Sequence, residues 1–128
     1  MASVSRPQPR GLIVEDAGAV RDLLRDALGQ AGFEADTAET ATEAIDHLAT
    51  RRYAVIVADC ILPDLPTLDW LAALRGAAPT TPLILQSGGI GPEELAGYAA
   101  EFGVAGVLEK PFSVGQLLAA VRAAVETG

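Results

Sequence analysis

Lysine is all but missing from this chain: Lys110 stands alone against eight arginines. Cysteine is equally scarce. The single Cys60 excludes an internal disulfide and suits a reducing compartment, so a cytoplasmic protein is expected. Basic clusters are absent as well. No positive run exceeds the pair Arg51-Arg52, and the net charge is −8. Direct nucleic-acid binding, which needs a basic patch, is therefore not expected. No apolar stretch approaches the ~20 residues of a membrane span. The opening MASVSRPQPR lacks the apolar centre of a signal peptide. Residues 1–10 read as a short disordered tail, and residues 11–128 as one folded domain of ordinary size.

What the chain has in quantity is apolar residues, 50% of the total, arranged in a regular alternation. Short apolar runs appear at GLIVE (11–15), YAVIVAD (53–59), PLILQS (82–87) and AGVLEK (105–110). Three of these are nearly continuous Val, Ile and Leu, which is how strands buried on both faces of a parallel sheet read. FEADTA (33–38) alternates apolar with acidic residues and fits an edge strand with one wet face.

Helical periods fill the gaps. Val20, Leu23, Leu24, Ala27, Leu28 and Ala31 follow helical spacing up to Gly32. Thr40 with Glu43 predicts a capping box ahead of Ala44, Ile45 and Leu48. Leu68, Leu71, Ala72 and Leu74 mark a third helix. Pro92 suits a first helical position, with Glu93 and Glu94 at the positive end of the dipole. Ser113 with Gln116 predicts a second capping box. The sum is an α/β chain of five strand–helix units, (βα)5. Right-handed crossovers make it an open parallel sheet covered on both faces by helices.

In such sheets ligands bind beyond the carboxyl ends of the strands. Those ends carry Glu15 and Asp16, then Asp59, then Ser87, then Lys110. Three carboxylates at one rim repel one another. A hard divalent cation with oxygen ligands, Mg²⁺ or Mn²⁺, relieves that repulsion. A compact ammonium suits one phosphate oxygen or one carboxylate. Each residue alone has an ordinary explanation, as a helix cap, a turn hydroxyl or a solvated charge. Acid, acid, hydroxyl and the only ammonium on successive strand ends point to a site. Pro111 holds Lys110 extended. The sharp turn into the helix capped by Ser113 favours a cis Lys110-Pro111 bond.

Residues 11–128 resemble the receiver domains of two-component response regulators, in a chemotaxis-regulator-like form. The resemblance rests on LIVED, VIVADCILPDL, LILQSGG and VLEKPF, in that order and at matching spacing. It implies a flavodoxin-like sheet of strand order 2-1-3-4-5. It also implies that Asp59 accepts a phosphoryl group from a histidine kinase or a histidine phosphotransfer protein. Asp16 and Asp59 would bind Mg²⁺ directly, Glu15 through water, and Ile61 through its backbone carbonyl. Ser87 and Lys110 would each hold a phosphoryl oxygen. Signalling would pass to a downstream protein by contact, with no enzymatic activity beyond self-phosphorylation and self-dephosphorylation. QSGG resembles receivers of hybrid kinases and relays.

Three positions depart from the family pattern. Pro66-Thr67 follows LPDL where a small turn is usual, Val107 stands where an aromatic is common, and Gly88 where alanine is common. A dinucleotide-binding enzyme is disfavoured because EDAGAV replaces the glycine-rich turn. The alternative is a receiver-like interaction module that no longer turns over phosphate.

Overall fold

The computed structural model describes residues 8–127. Its elements alternate strictly. The strands are β1 (Arg10–Val14), β2 (Glu34–Ala38), β3 (Val55–Asp59), β4 (Leu83–Ser87) and β5 (Gly106–Glu109). The helices are α1 (Gly18–Gln30), α2 (Ala41–Thr50), α3 (Thr67–Ala77), α4 (Pro92–Phe102) and α5 (Val114–Thr127). All pairings are parallel, in the order β2-β1-β3-β4-β5. This is the expected flavodoxin-like architecture.

The continuous apolar runs are explained by two cores, one on each face of the sheet. Leu12, Val14, Ile56, Ala58, Leu83 and Leu85 pack against Ala41 and Ala44 of α2, Trp70, Leu71 and Leu74 of α3, and Leu95 of α4. On the other face Ile13, Val55, Val57, Ile84 and Leu108 meet Leu24, Ala27 and Leu28 of α1 and Leu117, Val121 and Ala124 of α5. Each wholly buried aliphatic side chain contributes about 1.5–3 kcal/mol.

Caps hold the helices at the expected places. Thr40 Oγ1 accepts the Glu43 N–H at 3.1 Å. Ser113 Oγ accepts the Gln116 N–H at 3.0 Å while Gln116 returns a bond to the Ser113 N–H at 2.8 Å. Pro92 opens α4. The Lys110-Pro111 peptide is cis.

Several expectations are corrected. Arg10 belongs to β1, paired with Glu34, and not to the tail; residues 1–7 of that tail lie outside the described residues. Leu23 and Leu68, counted on the apolar helix faces, are 51% and 50% exposed. Neighbouring helical residues stand about 100° apart, and α1 buries only the narrow stripe of Leu24, Ala27 and Leu28. The run 105–110 does not form a strand buried on both faces. It yields β5, the second edge of the sheet, where only Leu108 is buried.

Candidate functional site

Because every strand runs the same way, all five carboxyl ends share one rim. β1 delivers Glu15 and Asp16 there, β3 ends on Asp59, β4 on Ser87, and β5 leads into Lys110. Glu15, Asp16 and Asp59 each offer a carboxylate oxygen, and these atoms lie within 4.8 Å of one another. Glu15 is fully buried, Asp59 nearly so, and Asp16 is exposed. Lys110 Nζ donates to Glu15 Oε1 at 2.6 Å and to Asp59 Oδ2 at 2.8 Å. The ammonium thus sits among the carboxylates, as expected from the strand ends.

Backbone groups fix the acids. The Ala17 N–H donates to Glu15 Oε2 at 3.1 Å and the Ile61 N–H to Asp59 Oδ1 at 3.0 Å. Ser87 is buried; its Oγ accepts the Gly89 N–H at 3.4 Å, and its carbonyl accepts the Lys110 N–H at 2.8 Å. Among the described residues Ser87 Oγ makes no bond to Asp59 or Lys110. It stands one step beyond Gln86, which pairs with Asp59 across the ladder. Ile61 is brought to the rim by its N–H, and its carbonyl accepts no backbone hydrogen bond among the described residues.

Burial sets the protonation behaviour. Loss of water raises the Glu15 carboxyl above its ordinary value, against the hydrogen bonds from Lys110 and the Ala17 N–H. Burial works against the Lys110 charge too, but hydrogen bonds to Asp59 and Glu15 outweigh it and hold the ammonium above its ordinary value. The two shifts act oppositely on the charged pair: the Lys110 ammonium is favoured by its two carboxylate acceptors, whereas for the fully buried Glu15 the loss of water outweighs the bonds from Lys110 and the Ala17 N–H. Burial pushes the Cys60 thiol up to about 12, so it stays neutral and acts as core filler beside Asp59.

The rim fits a hard divalent cation. Its donors are all oxygen, and three carboxylates face one ammonium. The Asp16 carboxylate has no hydrogen-bond or ion-pair partner among the described residues, while its backbone carbonyl accepts from Arg21 Nη1 at 3.4 Å. Oxygen-only donors with excess negative charge suit Mg²⁺.

Supporting residues emerge that the sequence reading did not assign to the site. Trp70, fully buried, donates from Nε1 to the Asp59 carbonyl at 2.9 Å. Arg21 donates to the Glu15 carbonyl at 3.0 Å and pairs with Glu39 at 3.0 Å. Asp64, inside the LPDL stretch, accepts from the Ala41 and Thr42 N–H groups at 2.9 and 3.0 Å, and so ties the loop after Asp59 to the start of α2. The signal for Asp64 was its place in that stretch; nothing in the spacing of Trp70 or Arg21 marked a partner. A Cβ at Gly88 would lie 3.3 Å from the Lys110 Cβ, so the glycine gives the lysine stem room to cross the loop. His47 lies away from the rim, with Nε2 3.1 Å from the Thr37 carbonyl.

Residues 12–122 match the family model described as the response regulator receiver domain. The response regulator MprA of Mycobacterium tuberculosis is 36% identical over 115 residues, which cover 89% of this chain and 49% of that protein. A protein-glutamate methylesterase/protein-glutamine glutaminase of Anaeromyxobacter dehalogenans is 38% identical over 104 residues, 80% of this chain and 30% of that protein. The chain thus spans about half or less of the length of these curated relatives. Among solved structures, a CheY-like receiver domain from Methanospirillum hungatei superposes with a TM-score of 0.86 at 23% identity, over 94% of this chain and 96% of that one.

Proposed function

The chain belongs to the response regulator receiver family, and from that premise we propose that Asp59 is its phosphoryl acceptor. An Asp59 carboxylate oxygen attacks phosphorus, an O–P bond forms, and the P–N bond of a donor phosphohistidine breaks with its electron pair returning to the imidazole. A carboxylate is already a nucleophile, so no general base is required. The donor is a histidine kinase or a histidine phosphotransfer protein, and the output is a contact with a further protein. The activity of the chain itself is limited to self-phosphorylation and self-dephosphorylation.

The observation that carries this reading is the meeting of Asp59, Glu15, Asp16 and Lys110 at one rim, with Ser87 beside them. Phosphoryl transfer asks a protein chiefly for alignment and for neutralised charge on the equatorial oxygens. Lys110 supplies positive charge to offset the negative charge on those oxygens. Ser87 offers a hydroxyl to one oxygen, and the Ile61 N–H orients Asp59. Asp16, Asp59, Glu15 and the Ile61 carbonyl would hold Mg²⁺, which when bound supplies further charge neutralisation. The alternative of a module without phosphate turnover gains no support at the rim, since every group such a loss would remove is in place.

The test is intact-protein mass after incubation with a small phosphodonor and Mg²⁺. One hydroxylamine-sensitive phosphoryl group is expected on the wild-type chain and none on Asp59→Asn. Equal labelling of that variant would overturn the assignment.

A further inference from the structure

Arg51-Arg52 is the only adjacent pair of basic residues in a chain of 17 acids and 9 bases. With that excess of acid, carboxylates are plentiful, and Arg10, Arg21, Arg25 and Arg51 each pair with one. Arg52 does not. It is exposed, and its guanidinium has no partner among the described residues. Arg51 is held loosely: its Nη1 lies 3.5 Å from an Asp36 carboxylate that already accepts the Tyr53 hydroxyl at 2.7 Å and Arg10 Nη1 at 3.4 Å.

Both arginines lie in the connection between α2 and β3, which forms one wall of an open cleft of about 610 Å³. The other wall is the connection between α3 and β4, residues 78–82. These connections enter their strands, so the cleft sits at the amino ends of the sheet. β3 spans Val55–Asp59, which puts Asp59 about 13 Å further along at ~3.3 Å per residue.

The two walls are fixed in place. Pro79 and Pro82 restrict the second connection. Arg75 Nη1 donates to Ala78 O at 3.0 Å and Thr81 O at 2.7 Å, while Nε and Nη2 hold the Phe102 and Gly103 carbonyls at the end of α4, each at 2.7 Å. In the first connection the Arg51 N–H donates to His47 O at 3.0 Å and the Ala54 N–H to Arg10 O at 2.8 Å. A cleft built in this way is already formed, so a ligand has little ordering to do.

The lining divides chemically. Leu48, Ala78, Pro82 and Val125 make it apolar on one part. Arg51, Arg52, Thr80 and Thr81 bring two guanidinium groups and two hydroxyls, and these hydroxyls have no partner among the described residues. No carboxylate lines the cleft, in a chain of net charge −8. A guanidinium fork matches two oxygens of one phosphate. Two arginines suit a single such group and not a polyanion.

We propose that this cleft binds a small organic phosphate. Its phosphate meets Arg51 and Arg52, and its flat apolar body lies against Leu48, Pro82 and Val125. The site stands apart from Asp59 and needs neither the acceptor nor a metal.

Amide NMR titration with 1-naphthylphosphonate tests this; its P–C bond leaves no phosphoryl group to transfer to Asp59. Saturable shifts are expected at the amides of Tyr53, Ala54, Thr80 and Thr81, with a dissociation constant below about 1 mM. Inorganic phosphate and 1-naphthol, the two halves of the probe, should each bind at least about tenfold more weakly, a factor equivalent to about 1.4 kcal/mol. Arg52→Gln, at an exposed residue without a partner, should weaken the phosphonate by a similar factor. Ala77→Glu places an acid on the exposed lining without removing a bond, and should abolish binding. Asp59→Asn should bind as the wild type does. The proposal is overturned if the wild-type chain shows no saturable shift, if the shifts centre on Glu15, Ser87 and Lys110, if 1-naphthol binds as tightly as the phosphonate, or if Arg52→Gln and Ala77→Glu bind it unchanged.

Discussion

The Lys110 ammonium lies 2.6 Å from Glu15 Oε1 and 2.8 Å from Asp59 Oδ2, bridging the ends of β1 and β3 from the far edge of the sheet. One cation thus holds together two buried carboxylates that would otherwise repel. The phosphoryl reading gives Lys110 a later task, but in the resting protein it is already a structural tie.

Replacing Lys110 with methionine keeps the stem and removes the charge. Breaking a buried pair by deleting one partner costs about 3 kcal/mol or more, so Lys110→Met should lower the urea midpoint at pH 7. The deficit should also depend on pH. Burial already holds the Glu15 carboxyl above its ordinary value, and the lysine hydrogen bond opposes that rise. Without Lys110 the rise is larger. A carboxyl raised on folding costs stability at high pH, and the cost disappears as pH falls through its folded pKa. The gap between variant and wild type should therefore be wider at pH 8 than at pH 5; a gap constant over that range would contradict the tie.

Divalent cation should stabilise the folded chain, because three carboxylates gathered within 4.8 Å exist only in the folded state. At a free Mg²⁺ concentration 100 times its dissociation constant the linkage gain is about 2.7 kcal/mol. Asp16→Asn, which alters the one carboxylate of the three with no partner among the described residues, should cut the gain while leaving the metal-free melting temperature nearly unchanged. A wild-type melting curve indifferent to millimolar Mg²⁺ would remove the basis for a metal at this rim.

Asp64 is exposed, yet hydrogen bonds from the Ala41 N–H and from the backbone and side chain of Thr42 hold its carboxyl below its ordinary value. A carboxyl depressed on folding contributes in full above its unfolded pKa and loses the contribution as pH falls through the folded one. Asp64→Ala should therefore lower the melting temperature at pH 7, where α2 loses a cap, and the difference should shrink below pH 4. A difference that persists undiminished at pH 2 would show that the loss came from elsewhere.

The fold was legible because its two signals are local. Val-Ile-Leu runs mark strands covered on both faces, and Thr40/Glu43, Pro92 and Ser113/Gln116 mark helix starts within four residues. The rim was legible for a related reason: parallel strands bring their ends together, so Glu15, Asp16, Asp59, Ser87 and Lys110 meet without any knowledge of distances. What the sequence did not disclose are contacts that cross between elements. Trp70 reaching the Asp59 carbonyl, Arg21 bracing Glu15, and Arg75 holding the end of α4 each join residues whose relation depends on helix rotation and rotamer. The exposure of Leu23 and Leu68 has the same origin, since hydropathy spacing defines a face but not its width.

Gln86 is fully buried in β4, one residue before Ser87, and among the described residues neither its Oε1 nor its Nε2 has a hydrogen-bond partner. Its neighbours across the ladder are Asp59 and Leu108. An amide stripped of water without compensation costs about 1–3 kcal/mol. Methionine has a similar length, carries no strong polar group and adapts to irregular space. Gln86→Met should therefore stabilise the chain by about 1 kcal/mol, which raises the melting temperature of a domain this size by about 4 °C. Asp59 labelling should continue, because the backbone that positions Ser87 is untouched. Gln86→Glu should do the opposite, burying an acid beside Asp59 on the ladder, and its penalty should ease on acidification as the new carboxyl takes up a proton. A drop in melting temperature for Gln86→Met would mean that the amide is satisfied in solution and stabilises the strand.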